Sequence, residues 1–101
     1  MVYRHVKLSR SDVKGKKYKM EFYNKDKQRI KTIHFGAIGY SDYTKHKDDN
    51  RKANYISRHQ SSENWNVPDT AGSLSRWILW NHKSLNESYK SYLNKFNLTK
   101  L

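Results

Sequence analysis

Apolar and polar residues alternate over the first third of the chain and recur at helical spacing over its last half. In residues 2–9, Val2, Val6 and Leu8 fall on one parity and Tyr3, His5 and Lys7 on the other, which predicts a half-buried strand. Ser11, Asp12 and Gly15 supply a break. Residues 17–23 alternate more clearly, with Tyr18, Met20 and Phe22 opposite Lys17, Lys19, Glu21 and Tyr23. The polar run Asn24, Lys25, Asp26, Lys27 reads as a turn. The β-branched and apolar stretch from Arg29 to Phe35 reads as a third strand, so residues 17–35 form a hairpin. Ile30 and Ile33 have opposite parity and leave the inner face of that strand open.

Residues 36–48 read as a loop. Asp48, Asp49 or Asn50 then caps a helix over about residues 50–60, with Ala53, Ile56 and His59 or Gln60 as its inner stripe and Tyr55 alongside. After Pro68, Asp69 or Thr70 caps a second helix over about residues 70–81, in which Leu74, Trp77 and Ile78 recur. Ser84 and Glu87 have capping-box spacing. Leu85, Tyr89, Tyr92, Leu93 and Phe96 follow on one face of a third helix over about residues 85–96. Strands first and helices afterwards predict an α+β domain, a small antiparallel sheet packed by about three C-terminal helices. With 101 residues there is room for one core, and residues 1–101 are read as a single domain.

Composition adds an electrostatic bias to this frame. The net charge is +12, from 21 Lys and Arg against 9 Asp and Glu. Residues 1–31 hold eleven basic and three acidic side chains, while residues 32–64 hold five and four. Such a field attracts polyanions. Aromatic residues make up 14% of the chain, enough for a small aromatic core and more than a disordered basic tail carries. The absence of cysteine excludes disulfides, thiolate zinc sites and a cysteine nucleophile. No apolar run reaches the ~20 residues of a membrane helix, and the N-terminus lacks the pattern of a signal peptide. The expected protein is soluble, not secreted and not inserted in a membrane.

Three stretches hold the candidate chemistry. Lys14, Lys16, Lys17, Lys19, Lys25, Lys27, Arg29 and Lys31 lie within eighteen residues. On the outer face of a twisted ribbon they could track a phosphate backbone, with Tyr23 stacking on a base. Residues 35–48, FGAIGYSDYTKHKD, lack the Gly-Lys-Ser/Thr ending of a phosphate loop, and their glycines are read as turn formers. Lys45, His46, Lys47, Arg51 and Arg58, with Arg76 further on, are secondary phosphate contacts. His46, Asp48, Asp49 and His59 form the less favoured alternative, a nuclease-like acid–base site, although no metal-binding spacing is present. In residues 65–80, WNVPDTAGSLSRWILW, Trp65 or Trp80 is read as an exposed partner anchor. No catalytic residue, metal ligand or cofactor is assigned.

The motifs Phe35-Gly36-Ala37, Asp42-Tyr43-Thr44, His46-Lys47-Asp48, Arg58-His59, Glu63-Asn64-Trp65 and Thr70-Ala71-Gly72, with Ser75-Arg76-Trp77-Ile78-Leu79-Trp80, resemble a family of small basic proteins encoded by giant (nucleocytoplasmic large) DNA viruses. The resemblance covers about residues 17–96 and implies viral origin and a place in the virion or viral factory. It carries over no catalytic residue. Together with the charge, it sets the expectation of a non-enzymatic, sequence-nonspecific nucleic-acid-binding protein that helps package a genome. The expected partner is nucleic acid, DNA ahead of RNA, with other virion proteins besides. The alternative is a minor capsid or scaffold component with a basic face and tryptophan anchors.

Overall fold

The computed structural model describes residues 2–101. β1 (His5–Arg10), β2 (Lys16–Tyr23) and β3 (Arg29–Ala37) form an antiparallel meander. The helices follow: α1 (Tyr43–His46), α2 (Asp49–His59), α3 (Ala71–Leu74), which runs on into a π-helical turn over Ser75–Leu79, and α4 (Leu85–Phe96). The chain ends in β4 (Thr99–Lys100), which lies parallel to β1, so the sheet order is β3-β2-β1-β4. The architecture is α+β with strands N-terminal and helices C-terminal, as expected. The sheet is mixed, however, and not purely antiparallel, because a two-residue strand is too short to show alternation in sequence.

A Schellman closure delivers that last strand. Asn97 takes a left-handed backbone conformation (φ 53°), and the Leu98 amide donates to the Leu93 carbonyl at 2.9 Å. Leu98 is thereby turned into the core and Thr99 onto β1. The helix starts follow the local chemistry that predicted them. Asp48 accepts from the amides of Asn50 and Arg51, Thr70 from Ser73, and Ser84 from Glu87.

The sheet register puts Val6, Met20, Phe22 and Phe35 on one face, all without solvent exposure, against Leu74, Ile78 and Tyr92 of the helical layer. Phe22 pairs with Lys31 and Tyr23 with Arg29, so Ile30 is skipped in a β-bulge. The extra residue removes the parity conflict of β3: Ile33 packs on the core and Ile30 is 47% exposed. Two strand expectations need correction. Val2 precedes β1 and is exposed, while Tyr3, placed on the outer parity, packs on Phe22 and donates its hydroxyl to Asp69 at 2.8 Å.

The stripe expected for α2 is also corrected. Ala53 is exposed, and the inward residues are Lys52, Tyr55, Ile56 and His59. None of these belongs to the main core cluster. No helix among the described residues is long and apolar enough to cross a membrane.

Gly36, late in β3, has φ +79°, and a Cβ there would lie 3.0 Å from Leu79 Cδ1 and 3.2 Å from Lys17 Cβ. Gly36→Ala is expected to cost about 1–3 kcal/mol of stability, read as a lower urea midpoint, because left-handed strain and crowding add. The tyrosines predict a second, pH-dependent effect. Burial, reinforced by the hydrogen bond to the Asp69 carboxylate, pushes Tyr3 from 10.0 up to about 12. Burial also raises Tyr55 and Tyr92. A raised folded-state pKa gives stability that is complete below the unfolded value and lost as pH climbs through the folded one. The denaturation midpoint is therefore expected to hold up to about pH 10 and fall between there and about pH 12, with tyrosinate absorbance of these rings appearing together with unfolding.

Candidate functional site

The fold disperses the lysines of the hairpin. Lys14 and Lys16 lie at the β1–β2 turn, Lys25 and Lys27 at the β2–β3 turn, and the eight residues of β2 between them span about 25 Å. Carboxylates engage most of the others. Arg29 pairs with Glu21 at 3.0 Å, Lys31 with Asp69 at 3.1 Å, and Lys19 stands 3.8 Å from Asp12. Tyr23 leans on Glu21 instead of presenting a free ring, its hydroxyl 3.4 Å from the carboxylate. Lys17 is withdrawn altogether: its ammonium lies 2.7 Å from Asp42, with side-chain exposures of 9% and 2%. The expected continuous cationic ribbon is thus two separate basic ends joined by a partly neutralised middle.

What the fold does bring together is the two motif stretches. A cleft of about 740 Å³ opens between them. One wall comes from the start of β2 and the end of β3, with Lys16, Lys17, Gly36 and the loop residues Tyr40 and Ser41. The second is α2, through Arg51, Asn54, Tyr55, Arg58 and His59, which stand at i, i+3, i+4, i+7 and i+8 and so share a single helical face. The third is the helix over 71–79 with Trp80, through Gly72, Ser75 and Leu79.

Local chemistry holds each wall. Asp42 caps α1, accepting from the Thr44 amide at 3.0 Å and from the Thr44 hydroxyl, while its other oxygen holds Lys17. In the π turn, the Trp80 amide reaches back to the Ser75 carbonyl at 3.1 Å. The wide turn leaves Leu79 beside Gly36 and turns the Trp80 ring onto Tyr55, parallel to it at a centroid distance of 4.3 Å. Gly72 lets the Glu63 carboxylate pack directly on the start of α3, where a Cβ would push that side chain aside. Glu63 in turn stands 3.4 Å from His59 Nδ1.

The electrostatics of the cleft are asymmetric. Lys16, Arg51 and Arg58 are exposed and form no ion pair among the described residues, whereas Lys17 is matched by Asp42 and Glu63 stands beside His59. Tyr40, 74% exposed, stands at the rim. Cations at the mouth, aromatic and aliphatic walls within, and hydrogen-bonding groups from Asn54 and Ser75 suit an anionic ligand with a flat apolar part. The basic stripe of α2 was legible as Arg51 and Arg58. Tyr40 and Ser75 carried no signal beyond their place in the two motifs, and Asn54, on α2 between those motifs, carried none.

Other expected contacts take structural roles. Arg76 lies over the rings of Trp77 and Trp65, at 4.4 and 5.4 Å, and donates to the Trp80 carbonyl at 3.0 Å. Burial lowers its pKa, and it is not displayed for a phosphate. Trp65 and Trp80 are both half-buried against Tyr55, and neither is a free anchor. Lys45 and Lys47 are exposed on and after α1, outside the cleft lining.

The alternative acid–base set is divided. His46 precedes α2, where its Nδ1 accepts from the Asp48 amide at 2.9 Å and its ring packs on Trp80. His59 ends that helix, with the Trp80 and Tyr55 rings linking it to His46 and standing between the two imidazoles. Asp48 is spent as the cap of α2, and Asp49 accepts from the Tyr43 hydroxyl, which with the charges of Lys83 and Lys52 holds its carboxyl below the usual range.

No curated protein and no solved structure matches the chain. A family model does, over residues 6–59, the segment that runs from β1 through α2 and supplies two of the three cleft walls. Because that match spans 54 of the 101 residues, the chain belongs to DUF5754, a family of unknown function.

Proposed function

We propose that this chain is a non-enzymatic, sequence-nonspecific nucleic-acid-binding protein whose principal phosphate contacts are made at the cleft mouth by Lys16, Arg51 and Arg58. The observation that carries the reading is the convergence there of three cations from β2 and α2, none of them in an ion pair among the described residues, on a chain of net charge +12. A cation already matched by a carboxylate gains little from a phosphate. An unmatched one releases the phosphate's counterions. Lys14 beside the cleft, and Lys25 and Lys27 at the far turn, extend the positive field along the molecule. The resemblance to giant-virus proteins adds the setting: DNA ahead of RNA, and a genome-packaging role in the virion or viral factory.

The reading is tested by gel-shift titrations of the full chain on duplex and single-stranded DNA across a salt series. Lys16→Gln/Arg51→Gln/Arg58→Gln is expected to weaken binding to every sequence alike. It is also expected to flatten the slope of log K against log salt by about one unit per residue removed. Lys25→Gln/Lys27→Gln is expected to have a smaller effect. If the triple variant keeps the parent's affinity and slope, the cleft is not the phosphate site.

A further inference from the structure

We infer that the cleft is a nucleotide site, taking one unpaired nucleotide with its phosphate at the cationic mouth and its base against the aromatic wall. The inference rests on the reading above and names the form of nucleic acid that this site selects.

Three features lead there. The first is shape. A cleft of about 740 Å³ falls within the roughly 300–1,000 Å³ typical of small-molecule sites. A binder that reads only the backbone of an intact duplex meets it with a groove or ridge and needs no such recess.

The second feature is the order of chemistry across the cleft. Lys16, Arg51 and Arg58 are exposed cations, whereas the apolar surface beside them is the uncovered part of the Trp80 ring, backed by the buried Tyr55 (8% exposed) and Leu79 (2%). A free phosphate would use the cations alone, and an apolar ligand would use the walls alone. A nucleotide uses both, and Asn54 and Ser75 stand on the walls to meet the polar edge of a base.

The third is Tyr40. Its ring is 74% exposed at the rim, an unusual position for so large a side chain and a suitable one for stacking on a neighbouring base. A base held in a duplex offers neither face to these groups. A strand end, or any single-stranded segment, offers both without the cost of unpairing.

The test uses the full-length protein with four probes at one salt concentration: deoxyadenosine monophosphate, inorganic phosphate, a single-stranded oligonucleotide and a covalently closed duplex circle. Deoxyadenosine monophosphate is expected to alter tryptophan emission and to compete with the oligonucleotide. The oligonucleotide is expected to bind more tightly per site than the closed circle by about tenfold or more, the factor that one base–aromatic stack supplies. Asn54→Phe, an exposed helix position facing the cleft, is expected to fill the recess. It should abolish the response to the mononucleotide and the strand preference.

Equal binding of single strand and closed circle, with no response to the mononucleotide, overturns the inference and leaves the nucleic-acid reading standing. Competition by inorganic phosphate as strong as by the mononucleotide overturns it too, since a plain anion site has no use for the base. A response to the mononucleotide with no binding of either polymer supports the nucleotide site and overturns the nucleic-acid reading.

Discussion

Asp42→Asn is expected to destabilise the protein by about 3 kcal/mol, a large share of the roughly 5–15 kcal/mol that holds a domain of this size together. Asp42 is 1% exposed, and its carboxylate serves two partners at once. One oxygen accepts from the Thr44 amide and hydroxyl, and the other holds the Lys17 ammonium at 2.7 Å. Asparagine keeps the first function, because its carbonyl oxygen also caps a helix well. It fails the second, because an amide N–H then faces an ammonium and the lysine is left with a donor where it needs an acceptor. Lys17→Met leaves the converse fault, a buried carboxylate without its cation, and is expected to cost a comparable amount.

The double variant Lys17→Met/Asp42→Asn separates the pair from its parts. With both charges gone, no group is left uncompensated, and its cost is expected to fall short of the sum of the singles by about 1–3 kcal/mol. Urea midpoints for the four proteins give the coupling directly. Additive singles of less than about 0.5 kcal/mol each would show that water in the cleft already solvates the lysine and that the pair does not brace the sheet end against α1.

Tyr55→Ala is expected to release α2 while the rest of the protein stays folded. The helix contributes nothing to the main core cluster. Its attachments include the Tyr55 ring, buried to 8% exposure and stacked on Trp80, the Lys52 ammonium, which donates to the Asn81 carbonyl at 2.6 Å, and Asp49, which accepts from the Tyr43 hydroxyl of α1. Removing a buried aromatic ring of this size costs about 3–5 kcal/mol. Because α2 can open without exposing the sheet core, that cost falls on local opening. Amide exchange in α2 is therefore expected to speed up by on the order of a hundred- to a thousandfold, with β1–β3 little changed. Arg51 and Arg58 lose their fixed place at the same time, so nucleic-acid affinity is expected to fall together with protection. Uniform loss of protection across sheet and helices would instead make Tyr55 part of one cooperative core.

These two variants mark where sequence reading succeeded and where it stopped. Strand periodicity, the caps at Asp48, Thr70 and Ser84, and the α4 face through Tyr92 could be read directly, because each depends on neighbours within a few positions. The α2 stripe was misread because the rule that apolar residues face inward assumes a helix packed on a core. This helix covers a cleft with a basic and polar face, and it turns in one aromatic ring. The β-bulge at Ile30 was visible only as a parity conflict.

The candidate site shows the same division. Charge counting along the chain found the lysines of residues 14–31, but it could not see Asp42, Glu21 and Asp69 arriving from other elements to neutralise Lys17, Arg29 and Lys31. The amino-acid order alone established the α+β class, the helix starts and the positive field, since local propensity and net charge do not depend on how segments meet. Tertiary packing decided which cations remain unmatched, that the two motifs from residues 35–48 and 65–80 face one another across a cleft, and that Trp65 and Trp80 turn inward. Those outcomes depend on contacts between separate elements, from eight to several tens of positions apart, where ion pairing and burial act through distance in space and leave no periodic trace along the chain.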